Sequence, residues 1–244
     1  MRLLLLGGTG EARALAAALY PGVEVISSLA GRVPDPALPV GPVRIGGFGG
    51  VDAMRRWLVD AEVDAVVDAT HPFAATISAH AAQVCRELRL PHVVLARPAW
   101  AHGDAIVVDS DTDAAKAVVE NGFSRIFLTT GRSGTAAFRD LDAWFLIRAV
   151  TEPDAAALPA HHQLLLSRGP FRYAGELALL RRHRIDAMVT KNSGGDMTLP
   201  KLQAAATAGV AVVMVDRPPL PDGVCTVATV EQAVEWVEAV RTPG

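Results

Sequence analysis

The chain has almost no cysteine. Cys85 and Cys225 are its only thiols and show no paired spacing, so a disulfide framework is excluded and a reducing, cytoplasmic setting is expected. Both read as small buried apolar groups. Tyrosine is as scarce: with only Tyr20 and Tyr173, and Leu177 four residues beyond the latter, the Tyr-x-x-x-Lys pair of short-chain dehydrogenases cannot be built. No run reaches the roughly 18 uninterrupted apolar residues of a membrane helix. The opening Leu3 to Leu6 is too short for a signal-peptide core and leads into a glycine turn, so it reads as a buried strand. Charge of one sign is missing too. Twenty-six acidic and 23 basic residues are interspersed, with a formal net charge of −3, and nothing suggests a broad nucleic-acid footprint. The seven histidines lack metal-ligand spacing, so no metal site is expected, and no G-x-S-x-G elbow for a serine hydrolase occurs.

What is there is a rhythm. Half of the 244 residues are apolar, and short β-branched or leucine-rich runs alternate with alanine-rich amphipathic stretches. The pattern predicts strands at 3–6, 23–27, 43–45, 65–68 and 92–95, with helices at 11–19, 50–60 and 76–88. After the Pro- and Gly-bearing stretch 97–104, it predicts strands at 126–129, 144–149, 164–167, 187–190 and 210–215. The helices of this second series fall at 111–121, 134–140, 173–183, 201–208 and 230–240. Trp57 and Trp236 fall on amphipathic helices and read as core. The expected fold is α/β: two Rossmann-like three-layer domains with mostly parallel sheets, residues 1–101 and 102–244, and an interdomain cleft. Oligomeric state is not readable from this pattern.

In parallel sheets the loops after the strands carry the chemistry. After the first strand, Gly7-Gly8-Thr9-Gly10-Glu11 allows a tight turn and offers backbone N–H groups to a phosphate at a helix N-terminus, although its glycines do not follow G-x-G-x-x-G. The second strand ends in Ser27-Ser28-Leu29-Ala30-Gly31-Arg32. No carboxylate stands there to hold adenosine ribose hydroxyls. Two hydroxyls and Arg32 suit the 2′-phosphate of NADP, unless Arg32 merely caps the loop. The run Asp68-Ala69-Thr70-His71-Pro72-Phe73-Ala74 is placed to line a nicotinamide. His71 is either a proton donor or a cap for the next helix. In the second half, Thr129-Thr130-Gly131-Arg132, Arg168-Gly169-Pro170 and Thr190-Lys191-Asn192-Ser193-Gly194-Gly195 each deliver a cation and glycine after a strand. An anionic ligand is the expectation.

As a set, Leu6-Gly7-Gly8-Thr9-Gly10-Glu11-Ala12-Arg13, Ser28-Leu29-Ala30-Gly31-Arg32, Asp68 to Ala74, Thr130-Gly131-Arg132 and Thr190 to Gly195 with Lys201 resemble the precorrin-6A reductase family of cobalamin biosynthesis. The motifs span nearly the whole chain and stand in the family's order. One departure is Asp196-Met197-Thr198, where the family pattern has a glycine close to Thr198. The resemblance implies NADPH-dependent reduction of one C=C bond of the macrocycle precorrin-6A, giving precorrin-6B. Such a tetrapyrrole bears many carboxylates, which gives the cations a partner. Expected cofactor contacts in the first half are Gly7, Gly8, Thr9, Gly10, Glu11, Ser28, Arg32 and Thr70. In the second half they are Thr130, Gly131, Arg132 and Asn192. Expected substrate contacts are Arg97, Arg148, Arg168, Lys191, Ser193 and Lys201, with His71, Lys191 or a bound water as proton source. Two rival functions stay open: a non-catalytic NADP-sensing module and a nucleotide-dependent transferase.

Overall fold

A computed structural model describes residues 1–31 and 36–242. They divide into two compact units, Met1–Pro98 with Pro218–Gly244, and Ala99–Arg217.

Unit 1 begins with β1 (Arg2–Leu6), whose leucines 3 to 6 are buried on both faces, as a central parallel strand requires. Thr9 caps α1 (Gly10–Leu19), its side chain accepting from the Ala12 N–H. The chain continues through β2 (Glu24–Leu29), β3 (Val43–Ile45), α2 (Val51–Asp60), β4 (Ala65–Asp68), α3 (Ala75–Leu88) and β5 (His92–Leu95). One face of the sheet packs Leu3, Leu5 and Val67 against Leu15 and Leu19 of α1. The other packs Leu4, Leu6 and Val66 against Met54, Leu58, Val84 and Cys85. Three layers result.

Unit 2 runs β6 (Ile106–Val108), α4 (Asp111–Glu120), β7 (Arg125–Leu128), a 3-10 segment Arg132–Phe138, β8 (Trp144–Ala149), β9 (His162–Leu166), α5 (Tyr173–Arg182), β10 (Ala187–Lys191), α6 (Pro200–Ala208) and β11 (Ala211–Val215). Phe127, Leu146 and Met188 pack against Leu180, Ala204 and Ala205. The chain then returns to unit 1 with β12 (Cys225–Val227) and α7 (Val230–Arg241).

The sheet orders are β12-β5-β4-β1-β2-β3 and β6-β11-β10-β7-β8-β9, every pairing parallel. Each is a six-stranded doubly wound order with one edge strand out of chain sequence. β12 arrives after unit 2 is complete, and β6 precedes the strands it joins. The direction of winding reverses between β1 and β4 and between β7 and β10, the switch points beside which such sheets bind ligands.

Four expectations need correction. Residues 218–242 belong to unit 1, because β12 pairs with β5 and α7 covers α1, so the second unit is not 102–244. The edge strands β6 and β12 were not anticipated; it is their backbone pairing with β11 and β5 that defines them. Residues 134–140 are not an α-helix: a side chain at Gly134 would put its Cβ 2.5 Å from Thr130 Oγ1, and the segment takes the tighter 3-10 form. Cys225 lies exposed on β12, whereas Cys85 is buried. Trp57 and Trp236 pack against the cores, as partly buried groups.

Candidate functional site

At the switch point of unit 1, the Gly7 N–H donates to Ser28 O at 2.9 Å. A Cβ on Gly7 would stand 3.4 Å from both Ala12 and Leu29, so the turn packs flat against β2. Gly8 has φ +109, and nothing lies within 4 Å of where its Cβ would be, leaving that backbone open to a ligand. Thr9 Oγ1 donates to Ala69 O at 2.7 Å and accepts from the Ala12 N–H at 3.1 Å, tying the turn after β1 to the one after β4. Arg13 N–H reaches Thr9 O, so helix geometry leaves the N–H groups of Gly10 and Glu11 for an anion at the dipole's positive end. A crevice beside the turn is lined by Gly7, Gly8, Arg13, Ser27 and Leu29. Bare glycine backbone at a helix N-terminus fits a dinucleotide phosphate.

The other expected residues of unit 1 that the structure describes have protein partners. Glu11 and Arg97, expected on different ligands, form an ion pair with each other at 2.8 Å. The Thr70 hydroxyl donates to Asp68 Oδ1 at 2.6 Å, and Asp68 is buried. His71 is exposed, and its Nδ1 accepts from the Phe73 N–H at 3.3 Å. That bond puts the proton of a neutral ring on Nε2. Ser28 Oγ accepts from Arg44 Nη1 at 2.8 Å, a partner not anticipated from the sequence. Arg32 lies outside the described residues.

In unit 2 the loops after β7 and β10 flank the second switch point. Gly131 takes φ +78 and Arg132 stands exposed at the start of the 3-10 segment. Thr130 is buried next to Gly134. Lys191, at the end of β10, pairs with Asp111 at 3.1 Å. Ser193 N–H folds back onto Lys191 O at 2.7 Å. Arg168 is exposed after β9.

Three expected ligand contacts are instead built into the interior. Asn192 is fully buried: its Oδ1 accepts from the Trp100 N–H at 2.9 Å, and its Nδ2 donates to Trp100 O and Asp216 Oδ1. Its side chain fastens chain segments rather than facing a cofactor. Arg148 makes a two-armed pair with Glu176 at 2.8 and 2.7 Å, both side chains at least nine-tenths buried, with its guanidinium 4.0 Å from the Phe171 ring centroid. A charge so compensated does not grip a substrate carboxylate. Lys201 is buried as well, donating to Thr129 Oγ1 at 3.2 Å, with Trp100 alongside. Burial, then repulsion from Arg148, lowers its pKa to about 7, against an opposing pull from Glu176.

The comparisons with known proteins bear on this pair of glycine- and cation-bearing switch points. The family model for precorrin-6x reductase CbiJ/CobK matches residues 2–238. The chain belongs to that family. It is 66% identical over 236 residues to precorrin-6A reductase of Mycobacterium tuberculosis (strain ATCC 25618 / H37Rv), covering 97% of each chain. It is 56% identical over 246 residues to precorrin-6A reductase of Rhodococcus erythropolis, again covering 97% of each. The solved structure of CobK precorrin-6A reductase superposes with a TM-score of 0.91 at 35% identity, covering 98% of this chain and 97% of that one. As a member of the precorrin-6x reductases the chain is an oxidoreductase, and its reaction draws on a nicotinamide cofactor. Among the described residues, no helix is long and apolar enough to cross a membrane and no cluster of metal-ligating side chains occurs.

Proposed function

We propose that this chain reduces precorrin-6A to precorrin-6B in cobalamin biosynthesis, with NADPH as the reductant, in the cytoplasm. The observation that carries the reading is the repeated switch point, open glycine backbone at a helix N-terminus in unit 1 and cation-bearing loops in unit 2, in a chain that shares 66% identity with a precorrin-6A reductase.

Gly7 to Glu11 hold the pyrophosphate, and Ser28 lies on the adenosine side. The carboxylates of the tetrapyrrole are held by Arg132, Arg168 and Lys191, the cations at the ends of β7, β9 and β10 whose guanidinium or ammonium geometry suits carboxylates. Bound NADPH supplies the hydride. The chain's part is to hold two flat rings in a reactive orientation, an effect worth about 7–11 kcal/mol when alignment is good. The proton comes from His71 Nε2, from Lys191 as oriented by Asp111, or from water. Replacing His71 and Lys191 in turn with non-ionisable residues and measuring single-turnover reduction separates these: unchanged rates in both variants leave water.

Following nicotinamide absorbance with precorrin-6A present and absent tests the whole. Consumption that depends on the macrocycle is expected. Binding of NADPH without consumption would instead point to a sensing module, and turnover of a nucleoside triphosphate to a transferase.

A further inference from the structure

Arg44 stands on β3 directly opposite Ser28 in the parallel register. Its Nη1 donates to Ser28 Oγ at 2.8 Å and to Gly46 O at 3.0 Å, and its Nη2 to Gly47 O at 3.2 Å. The guanidinium carbon lies 3.8 Å from the Phe48 ring centroid and 5.4 Å from that of Trp57. Three bonds and a stacked aromatic face fix the plane of the group. Two of its five N–H groups, on Nε and Nη2, have no hydrogen-bond partner among the described residues, and no described carboxylate pairs with it. It is half-buried, and burial draws its pKa down, yet a guanidinium remains charged at neutral pH.

The carbonyls it holds belong to Gly46-Gly47-Phe48-Gly49-Gly50, the link from β3 into α2. Gly46 (φ +122) and Gly50 (φ +110) adopt backbone angles that favour glycine, and at Gly46, Gly47 and Gly50 an added Cβ would meet nothing within 4 Å. A fixed cation therefore sits between a hydroxyl at the end of β2 and bare backbone, on the side of the sheet where a doubly wound fold seats the adenosine half of a dinucleotide.

The geometry points to Arg44 as the residue that selects the 2′-phosphorylated dinucleotide, its free N–H groups donating to the ribose 2′-phosphate beside Ser28. The inference rests on the NADPH reading above. A planar fork held in place matches phosphate oxygens, and a lysine at this position reproduces the charge without the geometry. The rival cation is Arg13, which lines the crevice beside Gly7 and Gly8 and donates to Thr9 O at 3.1 Å.

Calorimetric titration of the full chain with NADPH, NADH and 2′-phospho-ADP-ribose tests this without turnover. Arg44→Ala is expected to weaken NADPH and 2′-phospho-ADP-ribose by about 10- to 100-fold while leaving NADH within about 2-fold, as for one charge-assisted phosphate contact. Arg44→Lys, which keeps the fold's charge balance, is expected to fall between. If Arg44→Ala weakens NADPH and NADH equally and lowers the melting temperature, the residue only clamps the glycine link and the inference fails. It also fails if the preference survives in both Arg44 variants, or vanishes in Arg13→Ala alone, with the NADPH reading intact. If the unaltered chain binds NADH as tightly as NADPH, both readings fall together.

Discussion

Lys201 and the Arg148–Glu176 pair show how far a side chain's role departs from its charge. All three groups are buried in one polar knot in unit 2. Because the folded-state pKa of Lys201 lies near 7 and the unfolded value near 10.5, the unfolded chain binds more protons between those limits. Stability contributed by the neutral amine is therefore lost as pH falls through that window and gained as it rises. Denaturant unfolding should show the unaltered chain gaining on the order of 2–3 kcal/mol relative to Lys201→Met between pH 6.5 and 9.5. Parallel curves for the two proteins would show that the amine is not desolvated. At the same knot, Glu176→Ala strands a buried guanidinium and should cost about 3–5 kcal/mol, whereas the double change Arg148→Met with Glu176→Met should recover most of it. A place at a strand end made Arg148 look like a ligand cation, and Lys201 looked like one from its place at the helix start that follows the Lys191 loop. Nothing in one sequence reveals that Glu176, 28 residues on, closes over Arg148. Arg44 is silent in the sequence for the opposite reason: an arginine inside a three-residue strand carries no motif, and only the register with Ser28 gives it a role. The Gly-Gly-Phe-Gly-Gly run two residues later was the legible hint.

At the level of elements, the glycine turns were legible because they follow apolar runs that are buried on both faces. The strands that need no partner to be recognised, β1, β4 and β8, stand where their leucine, valine and isoleucine runs put them. The edges β6 and β12 exist only through pairing. Gly8 and Gly134 show two distinct uses of glycine. At Gly8 a Cβ has space but the wrong φ, so Gly8→Ala should cost about 1 kcal/mol in stability yet weaken cofactor binding further, by crowding the approach to the backbone. At Gly134 the φ is ordinary but Thr130 Oγ1 and Asp111 Oδ1 would lie 2.5 and 2.8 Å from a Cβ. Gly134→Ala should therefore displace Asp111, destabilise the chain by about 1–3 kcal/mol as overpacking does, and raise KM for the macrocycle through Lys191. Thermal melts with separate titrations of NADPH and substrate distinguish the two; equal losses in both ligands for either variant would refute the assignment.

The whole molecule is asymmetric in how its units are encoded. Unit 2 is one continuous stretch, and β6 lies within it, so residues 99–217 contain all six strands of their sheet. Unit 1 is split. Residues 1–98 lack β12, which covers the edge of β5, and α7, whose buried Ala233 and Val237 and partly buried Trp236 pack on the same core as Leu15 and Leu19. Each large apolar side chain left uncovered forfeits about 1.5–3 kcal/mol, and several together match a typical net stability of about 5–15 kcal/mol. Fragment 99–217 should thus unfold cooperatively by itself, while fragment 1–98 should show no cooperative transition until a peptide of residues 218–244 is added. Circular dichroism melts of the two fragments, with and without the peptide, give the answer. A sharp transition in 1–98 alone would mean that the returning segment decorates a finished domain rather than completing it.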